Sequence, residues 1–101
     1  MLVAHEAAAQ RFVARLVAAG PEIGYLEYAL SRNKMDLQHT VVNEAGRGKG
    51  VGAKLADAAC LYAAEQKFTI LASCSYLSDK YFLNPPSGWQ YDAATKTAQL
   101  R

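Results

Sequence analysis

A chain of 101 residues, 51% apolar and 20% charged, has the length and balance of one small folded domain with a single core, and is not the composition of a disordered segment. The formal charge of +2 is too slight to argue by itself for nucleic acid, and no apolar run is long enough to span a bilayer, so neither partner is expected. Met1 to Glu6 has no basic leader and breaks its apolar run early, and Cys60 and Cys74 belong to no regular framework; a reducing compartment, the cytoplasm, is the expected location.

Along the chain, residues 11–17 begin with polar–apolar alternation, which favours a strand. Residues 6–10 are good helix material, so a helix over 5–19 competes with it. Residues 19–22, with Gly20 and Pro21, form a turn; 23–30 read as a strand and 31–34 as a hairpin loop. The next strand covers 35–42. Its period of two places Met35, Leu37, His39 and Val41 on one face, with Asp36, Gln38, Thr40 and Val42 on the other. A glycine-dense turn follows, and then the clearest helix, over 50–67, with Val51, Leu55, Ala58, Ala59 and Tyr62 on one stripe. Residues 68–73 are a short apolar strand expected to be buried on both faces. A short helix over 75–82 is stopped by Pro85 and Pro86, and no pattern assigns the tail at 84–101. The order is that of a single α+β (mixed α/β) domain over 1–101. Antiparallel strands lead into a β-turn-α-β crossover, expected to be right-handed, that makes the strands around Val41 and Ile70 neighbours.

The glycine turn carries the chemistry. Arg47-Gly48-Lys49-Gly50-Val51-Gly52 opens a helix, where first-turn amides lack partners and the dipole favours negative charge. Arg47, Lys49 and Lys54 add cations, so the fitting ligand is a phosphate or diphosphate. A Walker-type loop is excluded because Leu55 follows Lys54 where a magnesium-binding hydroxyl is required. A Rossmann domain is excluded by too few parallel strands and by the lack of a suitably placed acidic residue.

The same residues match the Arg/Gln-x-x-Gly-x-Gly/Ala signature of the GNAT superfamily of N-acetyltransferases, in its strand–turn–helix–strand setting. The chain most resembles that superfamily's miniature single-domain branch. His39-Thr40-Val41-Val42 is similar to the branch's His-Thr strand end, Ala72-Ser73-Cys74-Ser75-Tyr76 to its Pro-x-Cys-Ser-Tyr segment, and Leu26-Glu27-Tyr28 to its Leu-x-Tyr strand. Asn43 and Ala72 stand where the branch usually has proline.

The resemblance implies a GNAT-like fold with central strands splayed at their ends, and acetyl-CoA or coenzyme A as cosubstrate. Arg47, Gly48, Lys49, Gly50, Val51 and Gly52 would hold its diphosphate, and Thr40, Val41 and Val42 its pantetheine arm. Acetyl transfer to an amine, peptide or protein acceptor is the implied activity, with a non-catalytic acyl-CoA-binding module as the alternative. Cys74, His39 and Tyr76 are the implied catalytic residues, beside Glu27 as a second base and Tyr81 as a second acid. No metal ligand set is identified. Each residue also has a plain structural role open to it: packing for His39, Cys74, Tyr76 and Tyr81, and solvation of a strand face for Glu27.

Overall fold

The alternation at residues 11–17 resolves as a strand. In the computed structural model, which spans Met1–Arg101, β1 (Leu2–Glu6) and β2 (Arg11–Arg15) form a hairpin whose connection is only a 3-10 turn at Ala7–Ala9. The competing helix over 5–19 does not form, because Phe12 and Ala14 are drawn into the core at strand spacing. β3 (Glu22–Ser31) and β4 (Lys34–Val42) follow as a second hairpin, and α1 (Val51–Gln66) crosses over to β5 (Thr69–Ala72). After α2 (Ser75–Asp79) and a 3-10 turn at Tyr81–Leu83, the tail forms another hairpin, β6 (Trp89–Asp92) with β7 (Thr97–Leu100). All seven strands share one sheet in the order β1-β2-β3-β4-β5-β7-β6, antiparallel except between β4 and β5.

α1 lies on one face of this sheet and buries Val51, Leu55, Ala56, Ala59, Cys60 and Ala63. The stripe is therefore shifted from the one read in the sequence: Ala58 and Tyr62 sit half-buried at its margin. Phe12, Leu26, Leu37, Ile70, Leu77 and Phe82 complete the core under the helix. The helix ends on Lys67, which takes the left-handed conformation (φ 61°) so that its amide reaches the carbonyls of Ala63 and Ala64.

Two features of β4 position everything that follows. The first is an irregularity in its pairing with β3: Glu27 is opposite His39, yet Tyr28 is opposite Leu37, leaving Gln38 as an extra residue. A bulge of this kind reverses the alternation beyond it. Met35 and Leu37 face the helix, and past the bulge Thr40 and Val42 do so, paired with the inward Leu26 and Gly24. His39 and Val41 consequently point to the opposite face, away from Leu37, contrary to the strict period of two.

The second feature is the parting of β4 from β5. Their parallel ladder runs only from Lys34 opposite Thr69 to Leu37 opposite Ala72, so Ile70 neighbours Met35 and not Val41. A last bond joins the Cys74 amide to the Leu37 carbonyl at 3.0 Å. Beyond it the chain turns into α2, while residues 38–42 continue with β3 alone, which makes the splayed gap. The other edge of β5 is taken by β7. β5 is fully buried on one face only, through Ile70 and Ala72, whereas Thr69 and Leu71 are half-buried.

Candidate functional site

The glycine turn is fastened to β3 before it reaches the helix. Asn43 donates from its amide nitrogen to the Ile23 carbonyl (3.0 Å) and from Nδ2 to the Glu22 carbonyl (2.8 Å), while its Oδ1 accepts from the Gly46 amide (3.2 Å). This Asn caps a 3-10 turn at Glu44–Gly46, which is what stands in place of a proline at this position. Gly48 and Gly50 then adopt φ of 76° and 70°, the left-handed region that an L side chain enters at a cost of about 1–2 kcal/mol. A Cβ at either position would meet nothing within 4 Å, so the requirement there is one of backbone conformation and not of space.

That conformation frees amides. Arg47 and Lys49 use theirs on the carbonyls of Glu44 (3.2 Å) and Gly46 (3.3 Å), so these two are not part of a cradle. The amides of Gly48, Gly50, Val51, Gly52 and Ala53 have no acceptor within the chain. The Gly50 cap offers no side chain, and the first turn of α1 carries no acidic residue. A 16-residue helix with a bare, positive end and exposed Arg47, Lys49 and Lys54 around it is arranged for an anion from outside.

The cradle opens into a groove of about 540 Å³. One wall is the turn and the start of α1; another is the outer half of β4, through Thr40 and Val42; the third is α2 and the residue that caps it, through Tyr76 and Lys80. Lys80 carries no motif, and Ala53 adjoins the glycine turn without being among the expected site residues. Lys80 lies one turn after Tyr76, with its amide bonded to the Tyr76 carbonyl (3.0 Å), and the i,i+4 spacing was the only signal available for it. Burial raises the Tyr76 phenol above its ordinary value, with the negative charge of Asp57 acting in the same direction, so Tyr76 keeps its proton at neutral pH.

Cys74 stands where β4 and β5 part, half-buried, and its thiol donates to Thr40 Oγ1 at 3.4 Å. Thr40 is thus its partner, where the strict strand alternation would have supplied His39. His39 is exposed on the other face of the sheet, across from Glu27. Val41, 42% exposed, lies on that face too, so of the strand-end trio only Thr40 and Val42 turn side chains into the groove. Tyr81 is absent from the groove: its hydroxyl donates to Asp57 Oδ1 (2.6 Å) and contacts Cys60 Sγ (4.0 Å). Burial and the Asp57 bond together push its phenol far up, and its hydroxyl is committed to Asp57 on α1 and not turned to the groove. Cys60 is core, 3% exposed, with its thiol pushed up to about 12 by burial against the opposing effect of the Tyr81 bond.

A cationic turn with free amides joins β4 to α1 and opens onto the gap between the two parallel strands β4 and β5. The family model for GCN5-related N-acetyl-transferases matches residues 11–91, and the chain belongs to that family. Among solved structures, it is similar in fold to Ard1 from Thermoplasma volcanium, with 20% identity, a TM-score of 0.57, and coverage of 89% of this chain and 66% of that one. It is similar to Rv2747 from Mycobacterium tuberculosis, solved in complex with CoA and NLQ (16%, TM-score 0.56, coverage 82% and 49%). A GNAT family acetyltransferase from Elizabethkingia anophelis with acetyl-CoA bound is a third (16%, TM-score 0.55, coverage 81% and 54%). The chain spans between about half and two thirds of the length of these proteins.

Proposed function

We propose that this protein is an acetyl-CoA-dependent N-acetyltransferase that moves an acetyl group to an amine. The observation that carries the reading is the set of unpartnered amides from Gly48 to Ala53, held open by two left-handed glycines at the mouth of the β4–β5 gap. Acetyl-CoA supplies the acyl group, activated as a thioester. The amides of Gly48, Gly50, Val51, Gly52 and Ala53 would bind its diphosphate, with Arg47, Lys49 and Lys80 supplying charge around it. The edge of residues 38–42 that β5 leaves unpaired supports an arm that would hydrogen-bond to backbone at Thr40, Val41 and Val42, one of whose amides would stabilise a developing oxyanion.

In the transfer, a nitrogen–carbon bond forms and a carbon–sulfur bond breaks. Tyr76, kept protonated by burial, gives its hydroxyl proton to the departing sulfur. The amine's proton leaves towards Glu27 and His39, which stand opposite one another on the face away from the groove and would serve an acceptor arriving from that side. Since Thr40 and not His39 partners Cys74, direct transfer is favoured over an acetyl-cysteine route.

Incubation with acetyl-CoA and a panel of small amines and peptides should release free CoA, with Cys74→Ala retaining activity and Tyr76→Phe losing most of it. Absence of turnover with every amine would leave the second reading, a module that binds acyl-CoA without consuming it. The four-residue connection, Ala7 to Gln10, favours that reading, because no α-helix stands between β1 and β2 to wall an acceptor pocket. Calorimetry with CoA separates the two: binding without turnover is the module, and no binding sinks both.

A further inference from the structure

The three glycines of the turn do not share one task. Gly48 and Gly50 have left-handed backbones and open space around them. Gly52 has neither property: it sits in the first turn of α1, and a Cβ there would stand 3.1 Å from Cε2 and Cζ of Tyr76 and 3.2 Å from its hydroxyl. The phenol lies directly on the Gly52 Cα, so any side chain at this position must displace the ring.

We infer that Gly52 is a positioning residue for Tyr76: its missing side chain makes the seat that holds the phenol hydroxyl against the first turn of α1, beside the anion cradle. The last glycine of the motif thereby ties the diphosphate end of the groove to the proton donor at its other wall. This rests on the acyl-transfer reading above for what Tyr76 does, but the contact itself does not.

Three consequences separate this role from one in cofactor binding. Alanine keeps the amide of residue 52, so Gly52→Ala should leave CoA affinity within about twofold, while displacing Tyr76 by a few tenths of an ångström. On a scale of about a hundredfold in rate per ångström of misplacement, turnover falls roughly threefold to fivefold, and Gly52→Val, which expels the ring, costs more than about tenfold. Helix propensity favours alanine over glycine, so the only reason for Gly52→Ala to lower the melting temperature is the ring it strikes. With Tyr76 replaced by Ala, the same change should become neutral or stabilising.

The experiment is a thermal double-mutant cycle on the full chain (wild type, Gly52→Ala, Tyr76→Ala and both). Calorimetry with CoA and the 13Cζ resonance of Tyr76 in labelled protein accompany it. The expected result is a melting temperature lowered by Gly52→Ala only when Tyr76 is present, with a Tyr76 resonance that moves on CoA addition in wild type and not in Gly52→Val. An equal loss from Gly52→Ala in both backgrounds overturns the inference, as does a CoA affinity that falls in step with turnover. If wild type shows no CoA binding, the acyl-transfer reading fails, whereas the cycle still accepts or rejects the seat.

Discussion

Placing a carboxylate in the cradle gives the sharpest test of what the turn binds. Gly50 is suitable because its Cβ direction is open, so Gly50→Glu adds charge without a clash, and Gly50→Ala isolates the strain of a left-handed alanine. That strain, about 1–2 kcal/mol, converts through an unfolding entropy of roughly 0.2 kcal/mol/K for 101 residues into a melting temperature lower by about 5–10 °C in both variants. CoA at about 100 times its dissociation constant stabilises a binding protein by about 2.7 kcal/mol, a rise of roughly 13 °C that Gly50→Ala should retain. A carboxylate about 4 Å from a phosphate charge opposes binding by about 1–4 kcal/mol across the range of surface dielectrics. Taking about 2 kcal/mol, affinity falls roughly thirtyfold, and at the same CoA concentration the rise shrinks to about 4 °C. The assay is a pair of thermal melts, with and without CoA, for each protein. Equal CoA-induced rises in Gly50→Ala and Gly50→Glu would refute the placement of the diphosphate at these amides.

Other predictions address the surroundings of the site. His5 is stacked on Phe12 with ring centroids 4.3 Å apart and bonded to the Tyr28 hydroxyl (2.5 Å); burial lowers its pKa, so the folded state binds fewer protons than the unfolded one. Its contribution is complete above the unfolded value near 6.5 and is lost as pH falls below it; denaturant titrations at pH 7.5 and 5.5 should show a smaller drop in His5→Phe than in wild type. Iodoacetamide under native conditions should label Cys74 well before Cys60, and the reverse order by mass spectrometry would contradict the burial described. Tyr81→Phe should lower the melting temperature by about 5 °C, the loss of roughly 1 kcal/mol of hydrogen bond to Asp57, with CoA affinity unchanged. A hundredfold loss of turnover in that variant would instead make Tyr81 the acid.

What the sequence made legible was local. The strand, glycine turn and helix from β4 to α1 are written in consecutive residues, and α1 ends within one residue of each expected boundary. The tail hairpin was missed, although Trp89 and Tyr91 alternate with Gln90 and Asp92, and Asp92 Oδ1 accepts from the Ala94 amide to form the turn. Four-residue strands carry too little periodicity to stand out, and β7 is held as much by β5 as by its own pattern. The orientation of His39 was beyond reach for a different reason. Nothing in Met35 to Val42 marks Gln38 as an extra residue, because a bulge is a property of the pairing with β3 and not of β4. One uncounted residue moved His39 to the far face and brought Thr40 to Cys74.

The pairing of β5 has an effect on how the slot between β4 and α2 comes into being. β5 is joined to a strand that precedes it by 35 residues, Leu37 with Ala72, and to one that follows it by 28, Ile70 with Ala98. Both contacts close large loops and bear the entropy cost of doing so. The slot therefore depends on two pairings of high sequence separation, one from each direction along the chain. Damage to the carboxy-terminal hairpin, more than 20 Å of chain away along the backbone from any groove residue by the usual rise per residue, should loosen it while every groove residue stays intact.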